Sequence, residues 1–235
     1  MSVNIADVLK PPTGHRDEVW SRIVIVAEAF WGPIEPDHGV ALSSLDEAEQ
    51  RLARTIPLAL REGYRLVGAH PNLSSQDLLL PPDRMSVDGG TFLRFRVENQ
   101  GCAEWACRVD EPTDDPPVHM RVPSGAWQPD LGPVSAFFLH MVLSEILMSS
   151  TLADNGPLDE QRVGQLEAAL DELPIPPFLF WPDPSAPPRR FFGGPDLLVA
   201  DDAGTWMWAA VLSSRALDDL RSQVPGEWLM RADGP

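Results

Sequence analysis

Residues 92–122, FLRFRVENQGCAEWACRVDEPTDDPPVHMRV, constrain the fold more than any other stretch of the chain. Leu93, Phe95 and Val97 alternate with Arg94, Arg96 and Glu98. A period of two puts one set of side chains on a core and the other in water. Trp105, Cys107 and Val109 repeat the pattern against Glu104, Arg108 and Asp110, and Val118, Met120 and Val122 repeat it against His119 and Arg121. Glu98-Asn99-Gln100-Gly101 separates the first two runs, and a proline-bounded acidic loop, residues 112–117, separates the next two. Glycine supplies a positive φ at such a turn and proline ends a ladder, so both segments read as turns. Connections this short require antiparallel pairing. A three-stranded meander of half-buried strands is expected, and its apolar face needs a cover.

Helical patterns on both sides of the meander supply that cover. Residues 16–31 place Val19, Ile23, Val26 and Phe30 on one stripe, with Asp17 and Glu18 at the start and Gly32-Pro33 as the stop. Ser44-Leu45-Asp46-Glu47 matches a capping box and opens a helix that Ile56-Pro57 restarts. The restarted helix presents Leu60, Tyr64 and Val67 and ends at Gly68, a residue suited to a left-handed cap. Residues 133–149 form the most apolar helix, with His140, Ser144 and Glu145 as a thin polar line. An acidic amphipathic helix over 158–173, a proline-rich connector over 174–190, a hairpin over 196–200 and 205–212, and a last helix over 215–224 complete the reading. Trp206, Trp208, Val211 and Leu212 make the second hairpin strand apolar on both faces, which places it inside a sheet. Helices, then a meander, then helices and a hairpin define an α+β chain. The part after the connector would bury little alone, so a single domain over 1–235 is expected.

The segment TIPLALREGYRLVG at 55–68, the Leu80-Pro81-Pro82 entry, Glu98-Asn99-Gln100-Gly101 with Trp105, and Asp114-Asp115-Pro116-Pro117 carry a resemblance to the SUKH superfamily. That superfamily is similar to yeast regulators of cell-wall synthesis, and its bacterial members look like immunity proteins of polymorphic toxin systems. The resemblance implies a twisted, mainly antiparallel sheet with helices on one side and a function in binding a cognate toxin, for example a nuclease. Its alternative is a regulatory or scaffold module without a toxin. The chain departs from the pattern at Gly63, where a bulkier residue is more usual beside the tyrosine, and in its tryptophan-rich C-terminal hairpin.

Charge bears on the partner. The formal net charge is −17, from 35 acidic against 18 basic residues. Nucleic acid and anionic membranes are therefore disfavoured, and a basic protein is favoured. The apolar run at 133–149 is short and broken by His140 and Glu145, so no membrane span is expected. Residues 1–10 lack a basic, apolar leader pattern, and a cytoplasmic location is expected. Cys102 and Cys107 lie five residues apart, awkward for a disulfide within one strand, and are expected as reduced thiols. No nucleophile elbow, phosphate loop or metalloprotease motif is present, and His15, His38, His70, His119 and His140 fall in five different segments. Neither catalysis, a cofactor nor a metal is expected. For the partner, the sequence points to the acidic loop at Glu111, Asp114 and Asp115, with Glu98 and Glu104 beside it on the outer face.

Overall fold

The computed structural model describes residues 2–10, 16–180, 182, 183 and 185–230. Four helices come first: α1 (Ile5–Leu9), α2 (Arg16–Trp31), α3 (Leu42–Leu52) and α4 (Leu58–Val67). Short strands β1 (Leu78–Leu79) and β2 (Ser86–Asp88) precede the meander of β3 (Phe92–Val97), β4 (Glu104–Arg108) and β5 (Pro117–Arg121), which β6 (Gln128–Pro133) extends. They pair antiparallel in the order β1-β3-β4-β5-β6, with β2 also on β3. Helix α5 (Val134–Ser149) leads into β7 (Ala153–Pro157), α6 (Glu160–Ala169), β8 (Asp171–Glu172), β9 (Arg190–Gly194), β10 (Leu197–Asp202), β11 (Trp206–Val211) and α7 (Ser214–Gln223). These strands form a second antiparallel sheet, β7-β11-β10-β9-β8. The α+β class is as the element order implies, with two sheets in place of one.

Alternation along the second sheet explains the layering. Phe191, Leu198, Ala200 and Ala210 enter the same core as Leu93, Phe95 and Val118 of the first sheet. Phe192, Val199, Met207 and Ala209 point the other way and pack with Leu166 of α6 and Leu217 of α7. Helix α5 belongs to the shared core, and 13 of its 16 residues are buried, so it is the central helix between the sheets. The hairpin is apolar on both faces because helices cover both, and β11 lies inside its sheet between β7 and β10, as its sequence implies. Among the described residues only the first sheet keeps a face clear of helices, so the expectation of helices on one side holds for that sheet alone.

Two loops anchor the frame. The Asp115 carboxylate accepts from the Ser135 amide at 2.9 Å and the Ser135 hydroxyl at 2.5 Å, putting a negative charge at the positive end of α5. Tyr64, fully buried, donates its hydroxyl to the carbonyls of Leu80 (2.6 Å) and Phe95 (3.3 Å), tying α4 to the edge of the first sheet.

Several local expectations fail for tertiary reasons. Helix α3 begins at Leu42 with Ala41 at its cap, so Ser44 lies within the helix. Gly68 stays right-handed at φ −64°, whereas Ala53, ending α3, takes the left-handed conformation at φ 48°. The helical pattern over 158–173 stops at Ala169, because Asp171 and Glu172 pair with β9 as an edge strand. Val122 lies beyond β5 and is 39% exposed.

Gly63 has a packing reason. A Cβ built there would come within 2.5 Å of the Phe138 ring, which occupies the space a bulkier residue would take. Alanine favours helix by about 1 kcal/mol over glycine, but overpacking a filled core costs about 1–3 kcal/mol. Gly63→Ala is therefore expected to lower the urea midpoint with an unchanged slope; a raised midpoint would show that the ring yields freely.

Candidate functional site

The five predicted carboxylates divide between the two ends of β4. Glu98 is only 4% exposed and closes the β3–β4 turn, its carboxylate accepting the amides of Gln100 (2.8 Å) and Cys102 (3.0 Å). Gly101, at φ 75°, supplies the left-handed step of that turn. Glu104 pairs with Arg94 and, at 2.7 Å, with Arg121, which also reaches Asp88 at 2.6 Å. The outer face of the first sheet is thus a cross-strand ion network, with the Arg121 guanidinium 4.3 Å from the Trp127 ring centroid. At the other end, Glu111 pairs with Arg108 at 3.3 Å, Asp115 is committed to α5, and Asp114 is exposed, its carboxylate without a hydrogen bond or ion pair among the described residues but close enough to Arg16 to favour that guanidinium's charge. The arrangement beside one another on the outer face is corrected: Glu98 is buried in its turn, and Glu98 and Glu104 lie a strand's length from the acidic loop.

A bulge in β3 creates a different site. Arg94 pairs with Ala106, but Arg96 pairs with Trp105, leaving Phe95 as an extra residue. A bulge shifts the alternation by one, so Arg96 shares the inward face with Trp105 and is 3% exposed, against the expectation that it points to water. The Phe95 carbonyl, freed from the β3–β4 ladder, accepts from the Leu80 amide at 2.8 Å as well as from Tyr64.

Arg96 thereby reaches a cleft of about 260 Å³ between the sheets. The polar line of α5, His140, Ser144 and Glu145, faces this cleft instead of solvent. Trp105 comes from β4, Phe178 and Phe180 from the proline-rich connector, and Trp208 from β11. The connector folds back on itself through the bridge of Phe178 to Arg189, and both residues line the cleft. Glu145, fully buried, accepts from Arg96 at 2.7 Å and from the amides of Gln76 (2.8 Å) and Asp77 (3.2 Å). Asp77 adds a 3.2 Å contact to Arg96. Arg189 grips Asp202 with two nitrogens and donates to Ser144 Oγ at 2.9 Å, while Trp208 Nε1 donates to Asp202 at 2.9 Å.

Burial pushes the Glu145 carboxyl above its ordinary range, opposed by Arg96 and the two amides. Burial, together with the positive charges of Arg189 and Arg96, holds His140 well below its ordinary value. Its ring stacks on Phe137 with centroids 5.9 Å apart and meets Phe178 at 4.7 Å. A histidine so depressed is neutral at physiological pH and a weak proton acceptor there. Cys107 is buried with its thiol pushed up by burial, and neither cysteine is in a disulfide. Among the described residues no group of three or more His, Cys, Asp or Glu is placed to hold a metal ion.

Histidine placement departs from its sequence spacing. The His38 and His70 rings meet at 4.3 Å, and His70 stacks on Trp31 at 4.6 Å. Burial and His38 lower the His70 pKa, and its Nδ1 accepts the Asn72 amide at 3.2 Å, so the pair packs and caps. His15 lies outside the described residues. The signal for the cleft was already present as the line of His140, Ser144 and Glu145 on a mostly apolar helix, but a polar line by itself does not say whether it meets water or other polar groups.

The fold and site together define an α+β protein of two antiparallel sheets, with a charged and aromatic cleft between them and a rigid acidic loop at one end. The chain matches no family model, no curated protein and no solved structure. Among the described residues no helix is long and apolar enough to cross a membrane.

Proposed function

We propose that this protein is a SUKH-type immunity protein of the cytoplasm, which neutralises a cognate basic toxin by binding it, without catalysis of its own. The observation that carries the reading is the acidic loop at Glu111 and Asp114. It is held rigidly, by Asp115 on Ser135 and by the Asp114 carbonyl accepting the Ala59 amide at 2.9 Å, yet the Asp114 carboxylate remains exposed. Leu58, 40% exposed, lines a shallow groove with Glu111 and Asp114. An apolar contact rimmed by charge is the usual anatomy of a protein interface. Many arginines, including Arg94, Arg108, Arg121 and Arg189, are already engaged by carboxylates of the chain, so the surplus of the −17 charge is available to a partner. The SUKH resemblance supplies the class of that partner.

Association with the product of the neighbouring gene, measured at two salt concentrations, tests the reading. Long-range attraction screened over about 8 Å at physiological salt predicts slower association as salt rises. A Glu111→Gln, Asp114→Asn variant is expected to associate ~3–10-fold more slowly, with little change in dissociation. Asp115 is left intact because its loss uncaps α5. Co-expression should also protect cells from the toxin, whereas a scaffold would bind without protecting. A rate indifferent to both salt and the substitutions would place the contact on another surface.

A further inference from the structure

The cleft between the sheets is not used by the proposed toxin contact, and its charges do not balance. Asp77, Glu98, Glu145 and Asp202 line it against two guanidinium groups, Arg96 and Arg189. Arg189 is matched by Asp202, which it grips with two nitrogens, so Arg96 alone faces the other three carboxylates. A single nitrogen of Arg96, Nη2, serves both Glu145 and Asp77. Glu98 Oε2 is held by backbone amides only, and Oε1 has neither a hydrogen bond nor an ion pair among the described residues. Glu98 is only 4% exposed, so salt and bulk water screen its charge weakly. Two negative charges thus stand in excess around a space of about 260 Å³. Among the described residues the carboxylates are not gathered closely enough to hold a metal ion. The lining also offers a free aromatic wall: the half-buried Phe180 ring makes no ring or cation contact among the described residues. Exposed Gln76 and Pro182 stand at the mouth, which opens to solvent.

We propose that this cleft binds a small free organic dication, an aliphatic diamine or amino-guanidine, whose charge is taken up by Glu98 and Asp77 and whose chain runs along the apolar lining. An anion would add to the excess, and a neutral ligand would leave it uncompensated. A basic side chain of a partner protein brings one charge where two are in excess. Ammonium and guanidinium groups also gain from an aromatic face, which Phe180 supplies, and half-buried Met148 adapts to a run of methylenes. His140, kept neutral by its surroundings, adds no positive charge to oppose the ligand. The proposal stands independently of the toxin reading, since the Glu111 and Asp114 contact lies at the opposite end of β4 and takes a different class of ligand.

Calorimetry and ligand-observed NMR on the full chain test it with agmatine, butylguanidine and butylurea, which share a chain length and a planar head and differ in charge. Agmatine, the dication, is expected to bind one to one and ~tenfold more tightly than the monocation butylguanidine. Neutral butylurea is expected not to saturate by ~10 mM. Glu98→Gln keeps an oxygen for the Gln100 and Cys102 amides and removes the charge. It is expected to weaken agmatine ~tenfold with little change in melting temperature, and to narrow the gap between agmatine and butylguanidine, a readout that a purely structural role would not move. Phe180→Ala, at the half-buried edge of the cleft, is expected to weaken agmatine ~3-fold or more, and it serves as the second variant if Glu98→Gln folds poorly. The proposal is overturned if agmatine does not saturate by ~10 mM, or if butylurea binds as tightly as agmatine. Equal affinity for butylguanidine and agmatine also overturns it, because the cleft would then be a socket for a single basic side chain of a partner. So does agmatine affinity that survives both substitutions.

Discussion

Replacing Arg96 with leucine is expected to destabilise the fold by about 3–5 kcal/mol, because it leaves Glu145 buried without its counter-charge. Glu145 has no solvent exposure and Arg96 only 3%, so water cannot substitute for the missing partner. The two backbone amides on Glu145 remain and keep part of the compensation. Changing both residues to leucine should recover only part of the loss, since it removes the buried unpaired charge but leaves the Gln76 and Asp77 amides without their acceptor. The sign of the pH dependence follows from the carboxyl. Glu145 has a folded-state pKa raised above its ordinary value of 4.5, so the folded state holds its proton more tightly than the unfolded chain. Its ionisation therefore costs stability as pH rises from the ordinary value through the raised folded value, and that cost is absent below both. Removing Arg96 raises the folded value further. The deficit of Arg96→Leu should then shrink on acidification, and a deficit constant from neutral pH down to pH 4.5 would show that Glu145 does not carry it.

Phe138→Ala carries a comparable expected effect for an apolar reason. The ring is fully buried, meets Trp20 edge-on at 5.7 Å and Tyr64 at 6.2 Å, and lies under Gly63. Truncation should cost about 3–5 kcal/mol, through lost transfer energy and an unfilled cavity. Tyr64 would lose a packing neighbour while keeping its bonds to Leu80 and Phe95, so the bulge should survive. Coupling to Gly63 gives the sharper test. With the ring gone, the added methyl of Gly63→Ala enters vacant space, so the double variant should be more stable than the sum of the single losses. Urea midpoints for the two single variants and the double variant measure this directly, and strict additivity would remove the ring from the account of Gly63.

Helix α2 runs from Arg16 to Trp31 as its stripe, acidic start and Gly-Pro stop require. The meander strands fall within the alternating runs, and β11 is interior as its two apolar faces demand. These features depend on periodicity and local chemistry, which the order of residues carries by itself. Strands β6, β7 and β9 escaped, since segments rich in Gly, Pro, Asp and Asn such as Ala153–Pro157 have low intrinsic preference for a strand and pair only because a neighbour offers a ladder. The acidic loop was legible as a turn, but the separate tasks of Asp114 and Asp115 depended on α5 arriving beside it.

The cleft was decided by tertiary structure. Alternation assigns Arg96 to water only while the ladder is unbroken, and the break at Phe95 goes with contacts to its carbonyl from Tyr64 on α4 and Leu80. One extra residue turned a surface arginine into a buried one. The polar line of α5 gained its meaning only when that arginine, the proline-rich connector and the second sheet closed around it. The sequence determined which segments are apolar and with what period; the contacts between distant segments determined which polar groups lie inside, because burial of a charge depends on where its partner arrives.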